Sequence, residues 1–210
     1  HVSTASWISS EDIISDDLLQ RKIMKIRRRQ QLKLCVATRL EVMKGVKVAI
    51  EALALVKNNL KENIPLLFIY GEGPEKDKLE SLCKHLCIEE QVSFMGTVPY
   101  GQPFFEEISK YELMLLTNLN DEQPRLIFDA LSQGMIPICP DSHAYSVLDL
   151  DKSWYYKTGD SQSLFKKIMS FNDKDFLINS LNQAKSLSKK YTIGSMHLER
   201  ANWIERLLKQ

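Results

Sequence analysis

Short apolar runs alternate with amphipathic segments of helical period from residue 32 onward. Buried parallel strands are short and apolar, and the helices that cross between them carry one apolar face. The alternation therefore predicts an α/β fold, a three-layer Rossmann-like domain with a parallel sheet of about six strands and C-terminal helices. The strands are predicted at residues 32–38, 65–70, 92–95, 113–117, 136–139 and 154–156.

The predicted domain occupies residues 32–172 and is flanked by two different segments. Residues 1–31 carry four acidic side chains followed by six basic ones, and we interpret them as a linker or remnant, solvated or forming an exposed helix. The alternative is peripheral contact with an anionic membrane surface or with nucleic acid. No aromatic residues are interleaved for base stacking and the net charge is +1, so we expect no nucleic-acid partner. Residues 173–210 are expected to form helices that pack on the domain.

The cysteines carry no zinc or redox spacing, and we expect no metal site. Cys83 and Cys87 are predicted to share one helix face, and we interpret both as buried apolar side chains. Free thiols favour a reducing, cytoplasmic setting, with membrane association as the alternative. No apolar run is long enough to cross a bilayer. The chain opens at His1 without an initiator methionine or a signal peptide, which indicates a fragment of a longer protein.

In an open parallel sheet, ligands bind beyond the carboxyl ends of the strands, so the residues after each strand are the candidates. Arg39, Lys44 and Gly45 follow the first strand, where two cations and free backbone N–H groups at a helix start suit a phosphate, with two ordinary surface cations as the alternative. Gly71 and Gly73 follow the second strand, where the missing Cβ lets a ligand, or another loop, approach the backbone. Main-chain groups after the third strand suit a flat base, at Gly96, Thr97 and Val98.

The fourth loop is DEQPRLIFD at residues 121–129. Asp121 and Asp129 are expected to face the crevice while Leu126 and Ala130 face the core. Carboxylates accept hydrogen bonds from vicinal hydroxyl pairs, so ribose and hexose are natural partners. Asp129 also lies one turn after Arg125, so an exposed ion pair on the helix is the alternative.

Taken in order, these motifs resemble the C-terminal, nucleotide-sugar-binding domain of retaining glycosyltransferases of the large family 4, which have the GT-B fold of two facing Rossmann domains. The resemblance covers residues 32–171. It is carried by TRLEVMKG at 38–45, FIYGEGP at 68–74, VSFMGTV at 92–98 and LLTNLNDEQPRLIFDALSQGMIPI at 115–138.

The resemblance implies transfer of a sugar from a UDP, GDP or dTDP sugar to an acceptor such as a growing glycan, lipid or protein. It implies that Arg39 and Lys44 bind the donor diphosphate, that Asp121 addresses the donor sugar and that Asp129 holds the ribose hydroxyls. No metal or other cofactor is expected, because cationic side chains and a helix dipole stabilise the departing diphosphate. Backbone contacts to the donor are implied for the turn of Gln123, Pro124, Arg125 and Leu126.

The sequence departs from the family pattern at four positions. Asp121 and Asp129 stand where the family usually has glutamate, and Thr38 and Glu122 stand where it usually has glycine. These departures motivate a second hypothesis, a non-catalytic module that senses nucleotides or docks a partner. A flavodoxin-type signalling domain is a third hypothesis, although such a domain requires an acidic pocket after the first strand, where this chain has Thr38 and Arg39. His143 is a candidate hydrogen-bond donor to the sugar, with an ordinary exposed loop residue as the alternative.

The N-terminal acceptor domain of the family does not fit into residues 1–31. We therefore expect it in a longer form of this chain or on a separate subunit. Under both readings the last helix, with Trp203, packs near the interface with that domain.

Overall fold

The computed structural model describes residues 6–28, 31–122 and 125–209. In this part of the chain six parallel strands form a sheet in the order β3-β2-β1-β4-β5-β6. The strands are β1 (Lys33–Ala37), β2 (Leu66–Tyr70), β3 (Val92–Gly96), β4 (Leu113–Leu115), β5 (Ile136–Pro140) and β6 (Tyr155–Tyr156). The helices that flank them are α1 (Asp16–Arg28), α2 (Val46–Asn59), α3 (Lys76–His85), α4 (Gln102–Ile108), α5 (Leu126–Ser132), α6 (His143–Ser146), α7 (Ser161–Ser170), α8 (Lys174–Ser188) and α9 (Ile193–Leu208).

The centre of the sheet is apolar on both faces. Every residue of β4 and β5 is buried, whereas the edge strand β3 alternates between half-buried and exposed positions. Helices that cover both faces explain the continuous apolar runs of the central strands. The strand order reverses between β1 and β4, which pair through Leu34 and Leu113. A ligand crevice is therefore expected beyond the carboxyl ends of these two strands.

The predicted α/β class is confirmed, and the predicted strands agree with the observed ones to within two residues at their ends. One prediction about the cysteines is wrong. Helix α3 ends at His85, and Cys87 lies in the following turn with φ 54°, exposed to solvent, so it does not share a helix face with Cys83. Cys35, Cys83 and Cys139 are buried.

Helix α1 is not the exposed helix or solvated linker that its charges suggest. Its face of Leu19, Ile23 and Ile26 is buried, because these residues recur at helical spacing between the charged ones. Lys22 is also buried, and its ammonium donates to the carbonyl oxygens of Gln133 and Gly134 at 3.4 and 3.1 Å. Helix α1 thus provides a donor for the carbonyls of the two residues that follow α5, while burial lowers the pKa of Lys22 to about 8. The predicted division of the chain at residue 31 stays a prediction.

Candidate functional site

A cavity of about 330 Å³ lies beyond the carboxyl ends of the first three strands. The loops after these strands form one wall, the start of α5 forms another, and two aromatic side chains near α4 complete it. The lining residues are Ala37, Thr38, Arg39, Tyr70, Gly71, Glu72, Thr97, Val98, Tyr100, Phe104, Leu126 and Asp129. Arg39, Gly71, Thr97, Val98, Leu126 and Asp129 were all predicted site residues, and the fold brings them together here.

Asp129 is the buried carboxylate of this cavity. It is only 4% exposed, and its Oδ1 accepts a hydrogen bond of 3.0 Å from the Tyr100 hydroxyl. Burial, with a smaller contribution from the Asp12 carboxylate, raises the pKa of Asp129 to about 6, although Tyr100 and Arg125 act to lower it. The carboxylate is therefore ionised at neutral pH, but at a cost in desolvation.

The start of α5 agrees with the prediction only in part. Helix α5 begins at Leu126, so Asp129 lies in its first turn, and the half-buried Leu126 lines the cavity while it also packs against the core. The alternative interpretation, an exposed ion pair between Arg125 and Asp129, is wrong, because Asp129 is buried. The Arg125 guanidinium instead lies over the Trp7 ring, 3.9 Å from its centroid. The predicted contacts of Gln123 and Pro124 lie outside the described residues.

The two cations after β1 both have acidic partners. Arg39 forms an ion pair of 2.9 Å with Glu41 at the exposed mouth of the cavity. Lys44 is less exposed, and its ammonium binds the Glu122 carboxylate. Glu122 accepts two further hydrogen bonds, from the side-chain amides of Asn118 and Asn120 at 2.7 and 2.9 Å.

The loop after β4 is attached directly to the loop after β1. The Thr117 hydroxyl donates to the Lys44 carbonyl at 2.7 Å, and the Leu119 amide donates to the Met43 carbonyl at 2.9 Å. Gly45, at φ 65°, packs so closely that a Cβ there would lie 2.0 Å from the Thr117 carbonyl oxygen. The two loops that carry Lys44 and Glu122 are therefore joined by hydrogen bonds and close packing at the point where the strand order reverses.

Asp121 lies apart from Asp129. Its Oδ1 accepts a hydrogen bond of 2.7 Å from the Ala144 amide at α6, and it is exposed outside the lining of the cavity. This bond, helped by the Ser142 side chain and the charge of His143, lowers the pKa of Asp121. The structure thus brings Asp121 to the loop after β5, and a role towards the donor sugar stays a prediction.

Gly71 and Gly73 are explained by the approach of another loop. A Cβ on Gly71 would lie 1.8 Å from the Thr38 carbonyl oxygen, and one on Gly73 would lie 2.4 Å from that of Leu40. Gly71 also has φ 132°, a conformation that residues with a Cβ rarely adopt. The packing of the loop after β1 therefore requires both glycines whether or not a ligand contacts them.

We expect Gly71→Ala to lower the free energy of unfolding by about 3 kcal/mol, because the added Cβ meets backbone that cannot move aside. Gly194→Ala is the matched control, since nothing lies within 4 Å of its Cβ position in α9. It should stabilise the protein slightly, by about 0.5 kcal/mol. Urea unfolding measures both, and equal stabilities of the two variants would refute the close-packing explanation.

Among the described residues, no group of three or more His, Cys, Asp or Glu side chains is arranged to hold a metal ion. None of the helices in this part of the chain combines the length and apolar character needed to span a bilayer.

Comparison with protein families identifies the chain. The family described as "Glycosyl transferases group 1" matches residues 20–190, which is most of the sequence and includes every predicted site residue. The chain belongs to the glycosyl transferases group 1. The resemblance to GT-B glycosyltransferases is thereby confirmed. A comparison with curated protein sequences finds no significant match.

Solved structures of other glycosyltransferases share this fold. The catalytic domain of cholesterol-α-glucosyltransferase from Helicobacter pylori is 21% identical, with 77% of this chain and 99% of that chain covered and a TM-score of 0.68. HepE from Anabaena, in complex with UDP-glucose, is 16% identical over 98% of this chain, with a TM-score of 0.76. The C-terminal domain of LpcC from Francisella tularensis is 15% identical, with 89% and 99% covered and a TM-score of 0.72. This group 1 domain spans 57% of the length of HepE.

The sequence did not single out Tyr100, which contacts the most buried carboxylate of the site. The one sequence feature that could have indicated Tyr100 as a site residue is its position just beyond the third strand, two residues after the predicted site residue Val98. The sequence did not predict the pairing of Lys44 with Glu122 either, although Glu122 departs from the family pattern.

Proposed function

We propose that this group 1 domain binds the donor of a retaining glycosyltransferase, a nucleotide diphosphate sugar, for transfer of the sugar to an acceptor. The observation that carries the proposal is the buried carboxyl group of Asp129 in a cavity at the carboxyl edge of the sheet. A desolvated carboxylate suits a ligand that presents paired hydroxyl groups to it.

The geometry supports a consistent orientation of the donor. The nucleoside enters the cavity, where Asp129 accepts from the ribose hydroxyls and the main chain of Thr97 and Val98 borders the base. The diphosphate then points towards Arg39 and towards Lys44, which is next to the N-terminus of the 14-residue helix α2. Cations and a helix dipole at this place stabilise the charge that develops on the departing diphosphate.

The acceptor and the remaining catalytic groups are assigned to a second domain, as the covered fraction of HepE suggests. Helix α9 is the proposed contact with that domain. Beyond Met196, its one buried residue, the helix exposes apolar side chains. These are Leu198, Trp203, Ile204, Leu207 and Leu208.

Calorimetric titration with UDP, GDP and dTDP tests the donor proposal. We expect at least one of them to bind, and to bind more tightly than inorganic pyrophosphate, because the nucleoside adds the Asp129 contact. If none of the three binds, the proposal is refuted.

A second candidate function is a nucleotide-binding module without catalytic activity, favoured by the neutralised Lys44. Supplying the acceptor half of the enzyme discriminates between the two. With an acceptor present, a catalytic domain then transfers the sugar from its bound donor to the acceptor and leaves the nucleoside diphosphate, whereas a module binds the donor and leaves it intact.

A further inference from the structure

Tyr100 is a residue of the cavity whose position requires an explanation. It lies in the loop between β3 and α4, and 60% of the residue is exposed. Its hydroxyl nevertheless reaches inward to Asp129, while its ring packs against Phe105 and Phe104, with centroid distances of 5.8 and 6.2 Å. The two phenylalanines are buried, so they fix the direction of the tyrosine side chain.

We propose that Tyr100 is a positioning residue for the donor nucleoside: its hydroxyl holds the Asp129 carboxylate in the orientation and charge state that accept the ribose hydroxyls. This inference rests on the proposed function, since it names how the same site recognises its ligand. Tyr100 acts through Asp129, and no contact between its hydroxyl and the donor is required.

The hydrogen bond leaves Asp129 free to bind a ribose. A carboxylate has about four acceptor positions, and the Tyr100 hydroxyl uses one of them, on Oδ1. A buried carboxylate without a fixed partner would rotate about its side-chain bonds and would lose that entropy when the ribose binds. Tyr100 therefore lowers the cost of binding by pre-organising its neighbour.

The hydroxyl also affects the charge of Asp129. The groups that act on this carboxylate come from three segments: Tyr100 before α4, Arg125 at the start of α5 and Asp12 in the N-terminal segment. Burial and Asp12 raise the pKa of Asp129, whereas Tyr100 and Arg125 oppose them. Loss of the tyrosine hydroxyl should therefore raise the pKa above about 6 and reduce the ionised fraction near neutral pH.

Tyr100→Phe tests the proposal, because it removes the hydroxyl and keeps the ring. The probes are the nucleoside diphosphate that the wild-type chain binds best and its 2′,3′-dideoxy derivative, each titrated at about pH 6.5, 7.5 and 8.5. We expect the variant to bind the ribonucleotide about 3- to 10-fold more weakly at the lowest pH, as loss of one hydrogen bond would predict. The loss should shrink as the pH rises, since Asp129 is then ionised in both proteins.

The dideoxy probe separates positioning from a structural role. Without ribose hydroxyls there is nothing for Asp129 to hold, so wild type and variant should bind it within about 2-fold of each other. Tyr155→Phe is the matched control: it also loses one hydroxyl contact, to the Tyr145 carbonyl at 3.0 Å, and should leave both affinities unchanged. The thermal midpoints of both variants should stay close to that of wild type.

Three outcomes would overturn the inference. Equal ribonucleotide affinities of wild type and Tyr100→Phe at every pH would show that the hydroxyl is not used. An equal loss with the dideoxy probe would assign Tyr100 a structural role, as would a loss that does not change with pH. A wild-type chain that binds none of the nucleotides overturns the proposed function as well, whereas the other outcomes leave it standing.

Discussion

Replacing Asp129 with Asn is expected to stabilise the protein while it weakens nucleotide binding. The pKa of this buried carboxyl rises from 3.8 to about 6 on folding, so at neutral pH the folded state carries a desolvated charge. An amide of the same shape removes this charge and still accepts a hydrogen bond from Tyr100. The expected gain in the free energy of unfolding is up to about 3 kcal/mol at pH 7.5.

The gain should depend on pH in a definite direction. Between about pH 6 and pH 4 the folded wild-type protein takes up a proton at Asp129 that the unfolded chain does not, so wild type becomes more stable relative to the variant as the pH falls. Urea unfolding should therefore show a large difference at pH 7.5 that closes near pH 4. Asp77→Asn, at an exposed position of α3, is the control and should change stability by less than about 0.5 kcal/mol.

The same variant should bind its nucleoside diphosphate more weakly by about 1 to 3 kcal/mol, because charge-assisted hydrogen bonds to the ribose are lost. Gain of stability with loss of binding is the behaviour of a residue retained for function rather than for folding. A variant that is less stable than wild type and binds with unchanged affinity would contradict both expectations and would leave Asp129 a structural role.

Replacing Glu122 with Gln is expected to raise the affinity for nucleoside diphosphates about 10-fold. Glu122 forms an ion pair with the ammonium of Lys44, the group that we propose binds the donor diphosphate, and this lysine is the main cause that lowers the pKa of Glu122. A glutamine removes the competing charge and its repulsion of the diphosphate, but keeps an acceptor for Asn118 and Asn120. Because the effect is electrostatic, it should be larger at low salt.

The control for this prediction uses the other cation of the site. Glu41→Gln releases Arg39 from a more exposed ion pair, so its effect should be within about 3-fold. Adding Lys44→Met to Glu122→Gln should abolish the gain in affinity. If Glu122→Gln instead weakens binding, Glu122 orients Lys44 for the phosphate and does not compete with it.

The strands and most helices of this group 1 domain could be predicted because their signals are local. The apolar run of β5 and the spacing of the apolar residues in α2 each require only residues within a few positions of one another. The burial of helix α1 was not predicted because its many basic residues suggested a solvated segment, although Leu19, Ile23 and Ile26 recur at helical spacing between them. The exposure of Cys87 was not predicted, because helix α3 ends at His85 and Cys87 lies in the following turn with a positive φ.

Part of the site could be predicted in the same way. Glycines and polar residues after successive strands identified Arg39, Gly71, Val98 and Asp129, since parallel strands bring their carboxyl ends to one edge. The sequence could not separate Asp121 from Asp129, because their spacing allows several courses of the loop between them.

The sequence by itself determined the α/β class, the order of the strand-end loops and the family to which the chain belongs. Only the tertiary structure decided how charges and hydroxyls are paired: Lys44 with Glu122, 78 residues away, and Tyr100 with Asp129, 29 residues away. The physical reason is the separation along the chain over which each kind of interaction acts. Secondary structure follows from neighbours along the chain, whereas a side chain's partner, burial and pKa depend on which loops the sheet brings side by side.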